Sequence, residues 1–250
     1  MGSVRRRRRA QRAGSSVFPA MLLAWKARPR SPAAVVSVPP IWTPPPRWAP
    51  VAAGVAIHLV YHRRLFQGEK AGAPTWRSTM IRTRGRWAEH VFETSGWLYA
   101  VQTMRNQLTY TSAMASTTVS LFTLTVGFLW QCLRAEFSWQ TLLRFGCVAM
   151  LLLCSAHFFL QCSRLVAHAG FMFPVANELH VGANRQNVAD KAAVSHMLQR
   201  SVHMQWAGLR FLYLAANAAM WVVGGEWAFL LACIAMAVFL YGHDRAPAAG

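Results

Sequence analysis

Acidic residues are scarce in this sequence. Only eight Asp and Glu stand against 26 Lys and Arg in 250 residues, and no acidic residue precedes Glu69. Carboxylates are frequent general acids and bases and are the usual ligands of hard metal ions. The HExxH, GxSxG, P-loop and GxGxxG motifs are also missing. We therefore assign no catalytic residue, no metal site and no cofactor, and enzymatic activity is an unfavoured alternative.

Cysteines are few and isolated. The five cysteines lie in or beside apolar runs, and none forms a CxxC pair. Metal or redox use requires clustered thiols with polar support, whereas a lone cysteine behaves as a small buried hydrophobic residue. The cysteines therefore indicate packing and do not indicate chemistry.

Charged residues of either sign make up only 14% of the chain, whereas hydrophobic residues make up 54%. Soluble domains contain about 25% charged residues, so part of this chain is expected to be surrounded by lipid. A net charge of +18 is typical of nucleic-acid-binding proteins. Here, however, ten basic residues fall in the first 47 positions and eight between Arg63 and Arg105, next to apolar stretches. That distribution orients membrane spans, and it argues against nucleic acid as a partner.

The first 50 residues form a separate region. Five consecutive arginines at 5–9 are followed by an acid-free, Ser-containing stretch, and six prolines lie between Pro39 and Pro50. Arginine-rich, acid-free composition is typical of an organellar transit peptide, although a basic tail that touches anionic headgroups is the alternative. The expected organisation is a basic, proline-rich tail at residues 1–50, one membrane domain at 51–245 and a short tail at 246–250.

Five apolar stretches predict an all-α, polytopic membrane protein with four to five transmembrane helices. Crossing a bilayer core of about 30 Å takes roughly 20 apolar residues, and the first stretch is short enough that its crossing stays open. Residues 211–242 are interrupted only by Gly224, Gly225 and Glu226, which predicts two helices joined by a tight turn. The predicted spans are residues 48–64, 108–131, 145–164, 206–223 and 227–242.

Loop charge predicts the orientation of these spans. Eight Lys and Arg lie between Arg63 and Arg105 and four between Arg164 and Arg200, whereas the turn near Gly225 has none. Basic loops stay on the cytoplasmic, matrix or stromal side of a membrane. Together with the composition of the tail, this favours a mitochondrial or plastid membrane, with the basic loops facing the matrix or stroma.

Two loop segments have the pattern of interfacial amphipathic helices. Residues 86–106 place Trp87, Val91 and Leu98 among polar residues, and residues 190–206 place Val194 and Leu198 mostly on one side. Basic amphipathic helices flanked by Trp commonly lie along a membrane surface. The sequence therefore predicts two such helices beside the spans.

Four short runs resemble those of a membrane protein family. They are AVQTMRN at residues 100–106, FFLQCSR at 158–164 followed by His168, GLR at 208–210 and LYGHD at 240–244. In this order and at these distances from the spans, they are similar to the family catalogued as domain of unknown function 599. The resemblance covers about residues 55–245 and implies a multi-pass membrane protein whose activity is unassigned.

Three groups of residues are candidates for functional or packing roles. Ionisable and polar groups inside spans are costly, so each is a functional hypothesis. Small residues in a span let helix backbones approach closely. Asp244 or Glu178 could neutralise one of the arginines proposed below for binding an anion or headgroup. The candidates are, for an anion or headgroup, Arg105, Asn106, Arg164, His168 and Arg210; as intramembrane polar groups, His157, Gln161 and Asn217; and for helix packing, Thr109, Ser112, Ala113, Ser116, Thr117 and Ser120.

These patterns favour a structural or assembly component of a membrane complex. The alternatives are a small oligomeric transporter or channel, supported by the hydroxyl-rich span and His157, and an anionic-lipid-binding protein, supported by the basic loops. The expected partners are the lipid bilayer, anionic headgroups, and further copies of the chain or other members of a larger complex. His58 and His62 have the four-residue spacing of two ligands on one helix face, but one pair does not make a site.

Overall fold

The computed structural model describes residues 48–94, 96–178 and 185–245, with the side chains of Trp97, 174–178 and 185–190 left out. These residues form five helices and no strand, so the expectation of an all-α chain is confirmed. Most of the predicted tail at 1–50, the end at 246–250 and the side chain of Glu178 lie outside the described part. The helices are α1 Ala49–Lys70, α2 Trp76–Thr94, α3 Trp97–Arg134, α4 Trp139–Glu178 and α5 Arg185–His243.

Three of the helices in the described part are long and apolar enough to cross a membrane. The qualifying stretches are Leu98–Arg134 of α3, Trp139–Phe173 of α4 and Lys191–His243 of α5. The sequence predicted four to five crossings. α1 does not qualify, because its 22 residues include a basic and polar second half. The residues that the structure describes therefore include three apolar helices that suit a membrane.

The third of these helices, α5, folds back on itself at Gly225. This glycine has φ 77° and ψ −164°, a conformation that is essentially restricted to glycine, between two helical arms. Tyr213 lies 6.3 Å from Phe239, and Trp221 lies 5.8 Å from Phe229, measured between ring centroids. In both pairs the two residues lie at nearly equal distances along the chain before and after the glycine, so the arms run antiparallel as a helical hairpin.

The long helices exceed the thickness of a bilayer core. α3 has 38 residues and α4 has 40, which corresponds to about 57 and 60 Å at about 1.5 Å per residue. A core of about 30 Å covers only half of such a helix. Each of the two helices is therefore about twice as long as one crossing requires. The extended ends are the first part of α3 and the last part of α4, together with α2 and the start of α5.

The extended ends share one hydrophobic core. It is formed by Val91 and Phe92 of α2, Met104 of α3, Phe173 of α4 and Val194 of α5, among others. The segments 86–106 and 190–206 were expected to lie with their apolar sides on lipid. Instead, Val91, Phe92, Val194 and Leu198 are buried against one another and against α4, whereas Leu98 and Val101 are exposed. The first segment is divided between two helices at Gly96. The difference arises because the four helix ends meet and bury one another's apolar residues.

The remaining two clusters follow α5 toward its turn. Leu152 of α4 packs against Ala215 and Ala218 of the first arm. Trp221, Phe229 and Cys233 form a cluster around the turn, against Val51 of α1 and Leu143 of α4. α1 therefore packs along the hairpin, and α3 contacts mainly α4.

Candidate functional site

The helical hairpin brings two buried charges together. Arg210 on the first arm and Asp244 at the end of the second form an ion pair, and each side chain is only 8% exposed. The Tyr61 hydroxyl of α1 donates a hydrogen bond to the same carboxylate. The backbone N–H of Trp76 donates to the Asp244 carbonyl at 2.9 Å. Asp244 therefore joins α1, α2 and both arms of α5 at one point.

Trp206 is the centre of a cationic cluster next to this pair. The guanidinium carbon of Arg210 lies 4.7 Å from the Trp206 ring, and that of Arg77 lies 5.1 Å from it. The His62 ring lies 5.9 Å away. The face of an indole ring carries negative charge, so it attracts a guanidinium placed over it. One turn of α5 separates Trp206 from Arg210, and that spacing places both on the same side of the helix.

Arg77 is held by a carboxylate at the end of α1. It pairs with Glu69, and its Nη1 lies 3.1 Å from Nδ1 of His203. Burial alone would raise the pKa of Glu69, but hydrogen bonds from Arg77 and Thr75 outweigh it, and the pKa of Glu69 is lowered. The carboxylate is therefore ionised at neutral pH and fixes α2 to α1.

Arg84 extends the cluster along α2. Its guanidinium donates to Ser201 Oγ at 2.9 Å and to Gln205 Oε1 at 3.0 Å. Burial lowers the pKa of Arg84. The helices meet closely here, because a Cβ on Gly85 would lie 2.5 Å from the side chain of Gln199. Within the described ranges Arg84 has no acidic partner, so its charge is compensated only by neutral dipoles.

A second buried polar contact lies deeper along α1. Asn217 Nδ2 donates to His58 Nε2 at 2.9 Å, and both side chains are buried. His62 Nδ1 donates to the His58 carbonyl at 2.8 Å. The two histidine rings are 6.3 Å apart, measured between centroids. In this arrangement the histidines bind protein groups and hold α1 against α5.

The structure separates the five residues predicted for an anion site. Arg210 is buried, and Asp244 neutralises it, as one of the two acids considered for that role. Arg105, Asn106, Arg164 and His168 are exposed on α3 and α4. Two arginines of the cluster, Arg77 beside Trp206 and Arg84 farther along α2, were not among the predicted site residues. Their signal was the seven-residue spacing of Arg77 and Arg84, which places them on one face of α2.

The predicted intramembrane polar groups have different surroundings. Asn217 is buried against His58, Gln161 is partly exposed, and His157 is exposed and lies 5.7 Å from the ring of Phe158. His157 thus faces away from the chain's own core.

The residues predicted for helix packing lie on the outer face of α3. All six are exposed in the chain, as are Thr123 and Gly127 farther along. The buried face carries Thr111, Ala115 and Thr118, and Ser163 of α4 donates to Thr111 at 2.8 Å. The predicted seam is therefore not buried by the described residues of this chain, and its role toward other molecules stays a prediction.

Comparison with known proteins gives a family and no assigned activity. No curated protein and no solved structure matches the chain. A family described as "Protein of unknown function, DUF599" matches residues 49–249, which include every described helix. That match covers most of the chain and confirms the resemblance carried by the four short runs. The protein is therefore a member of the DUF599 family.

Proposed function

We propose that this protein is a structural component of a membrane complex, and that it associates through the outer face of α3. The first partner we infer is a second copy of the same chain. The observation that carries the proposal is the exposed row of small residues on this face. Without a hydrophobic drive between helices in lipid, small residues favour association because they let backbones pack closely.

The spacing of these residues suits a helix pair. Thr109, Ala113, Ser116, Ser120, Thr123 and Gly127 follow one another at intervals of four, three, four, three and four residues. Alternating steps of four and three keep one face toward a supercoiled partner helix. A shallow groove of about 570 Å³ runs along the C-terminal half of this row, beside Ser120, Thr123 and Gly127. The same row on a second copy is complementary to it about a two-fold axis.

The hydroxyl groups on this face support packing over conduction. Thr109, Thr117 and Ser120 each donate to the backbone carbonyl four residues earlier, at 2.9 Å. Hydroxyls satisfied within their own helix can face lipid or a partner helix without an unpaired donor. In a pathway for ions or polar solutes, by contrast, such hydroxyl groups would bind the passing solute and not the backbone of their own helix.

The same proposal places four crossings in the membrane. α3, α4 and the two arms of α5 supply them, and α1 is the fifth when it crosses as well. The basic tail and loops are the reason for placing the protein in a mitochondrial or plastid membrane with those loops in the matrix or stroma. A fluorescent fusion of the full chain and protease protection of isolated organelles test both statements.

The association is tested by energy transfer between donor- and acceptor-labelled full-length protein in lipid vesicles. Ala113→Leu fills the proposed seam, and Ala235→Leu makes the same change at an exposed position of α5. We expect Ala113→Leu to weaken association about ten-fold, roughly 1.4 kcal/mol, and Ala235→Leu to leave it unchanged. Monomeric wild-type protein at all densities, or equal effects of both variants, would refute pairing through α3.

A further inference from the structure

A small cavity lies between α2 and α5 beside the Trp206 cluster. It has a volume of about 130 Å³, and its lining includes Arg77, Arg84, Gln205, Trp206, Arg210 and Asp244. A water molecule occupies about 30 Å³ in the liquid, so the space is large enough for about four waters or for one compact polar group. It lies where the chain passes from the apolar spans to the extended helix ends.

The charges around the cavity do not cancel. Arg77 pairs with Glu69 and Arg210 pairs with Asp244, whereas Arg84 has only neutral partners in the described part of the chain. Three guanidinium groups and two carboxylates leave one positive charge in excess. An uncompensated charge at a partly buried site costs free energy unless an anion or water is bound there.

Two buried donors at the cavity have no acceptor among the described residues. They are Nη1 of Arg210 and Nε1 of Trp206. Arg210 is 7% exposed, so bulk water does not reach it freely. Buried polar groups nearly always have a hydrogen-bond partner, and leaving one unpaired is destabilising. Both donors therefore require oxygen atoms that this part of the chain does not supply. Arg84 has neutral oxygen acceptors and lacks only a counter-charge.

We propose that this cavity binds a phosphate group. A phosphate has several oxygens at tetrahedral positions and can accept from Arg84, Arg210 and Trp206 at once, whereas a carboxylate has two oxygens. The planar fork of arginine matches two phosphate oxygens, and such charge-assisted bonds are about twice as strong as neutral ones. The negative charge of the phosphate offsets the excess positive charge of the three arginines.

The phosphate can belong to a lipid headgroup or be free in solution. Asp244 also lines a larger groove of about 750 Å³ beside α1, whose other lining residues include Ile57, Val60, Leu65 and Val238. That groove offers an apolar surface next to the proposed phosphate site, which is the arrangement that a phospholipid requires. Both sources present the same phosphate group to the cavity, and the experiment below distinguishes them.

The test uses the full-length protein and two probes. Inorganic phosphate is titrated into protein in a neutral detergent, with chloride used to keep ionic strength constant, and binding is followed by calorimetry and by ³¹P line width. In parallel, thermal unfolding is compared in bilayer discs of phosphatidylcholine alone and with phosphatidic acid added. Binding of inorganic phosphate supports a site for the free anion. Stabilisation by phosphatidic acid without binding of inorganic phosphate supports a headgroup site.

Arg84→Gln removes the unneutralised guanidinium, and Arg82→Gln is its matched control, because Arg82 is exposed on the same helix. We expect Arg84→Gln to weaken binding at least ten-fold, as for loss of a hydrogen bond to a charged group, and Arg82→Gln to change it less than two-fold. Arg84→Lys keeps the charge and loses the fork, so it should bind with intermediate affinity and also controls for folding. Absence of binding by the wild type to both probes, or equal losses in the Arg82 and Arg84 variants, would overturn the proposal.

Discussion

Removing the carboxylate of Asp244 should destabilise the protein strongly. Asp244→Ala leaves Arg210 buried without its counter-ion and removes the acceptor of the Tyr61 hydroxyl. Asp244 also lies where α1, α2 and the two arms of α5 meet. The substitution therefore removes the ion pair that holds the two arms of the hairpin together. A surface ion pair would give almost no effect, which makes this substitution a sensitive test of burial.

The magnitude follows from the burial of the pair. Both side chains are 8% exposed, and removing one partner of a buried ion pair costs about 3–5 kcal/mol. For a chain of this size, each 1 kcal/mol shifts the unfolding temperature by about 2–4 °C. We therefore expect Asp244→Ala to lower the unfolding temperature by roughly 6–20 °C.

The assay is thermal unfolding of purified protein in one detergent, followed by circular dichroism. The double variant Arg210→Met, Asp244→Leu replaces the pair by apolar residues of similar volume, and such replacements are close to neutral. It should recover most of the lost stability. If Asp244→Ala unfolds within 2 °C of the wild type, the pair is not buried as described. A double variant as unstable as the single variant would show that the loss has another cause than an uncompensated charge.

Three further predictions concern other contacts. Gly225→Ala introduces a Cβ at φ 77°, so the free energy of unfolding should fall by about 1–3 kcal/mol. Gly242→Ala is the control: a Cβ at that position meets open space, so the unfolding temperature should stay unchanged or rise. Because the pKa of Glu69 is lowered on folding, its contribution to stability is present above its ordinary pKa of 4.5 and is lost as the pH falls from that value through the lowered pKa of the folded protein. Glu69→Gln should be less stable than the wild type at pH 7, and the difference in unfolding temperature should shrink steadily as the pH is lowered below 4.5. Ser163→Ala removes the donor to Thr111 between α4 and α3 and should cost about 0.6 kcal/mol in unfolding, while Ser116→Ala on the exposed face should have no effect.

Much of the membrane fold could be predicted from the sequence. A long run without charged residues, as in α3, favours a helix in lipid whatever its neighbours are, because its backbone groups bond within the helix. The interruption at Gly225 was also readable, since glycine pairs end helices and permit positive φ. The length of α3 and α4 beyond the predicted spans was not readable, because their polar ends are stabilised by packing against one another.

The candidate site could be predicted only in part. Arg210 was recognised because a charge at the start of an apolar run is costly and therefore conspicuous. Its surroundings were not, since Arg77 and Arg84 look like ordinary loop charges until α2 packs on α5. Likewise, the row of small residues on α3 was recognised, but the face of α3 that meets α4 was not. That face carries Thr111, Ala115 and Thr118, and these residues are as small and polar as those of the exposed row.

The sequence by itself determined the apolar helices, the turn at Gly225, the membership in the family and the clustering of basic residues beside the apolar stretches. These features depend on residues that are close together in the chain. Only the tertiary structure decided which charges are compensated. Arg210 meets Asp244 across 34 residues, and Arg77 approaches His203 across 126, through the return of the hairpin and the docking of α2 against it. Burial and pairing at those contacts leave Arg84 without an acidic partner among the described residues. The proposed phosphate site therefore depends on contacts between residues that are far apart in the sequence.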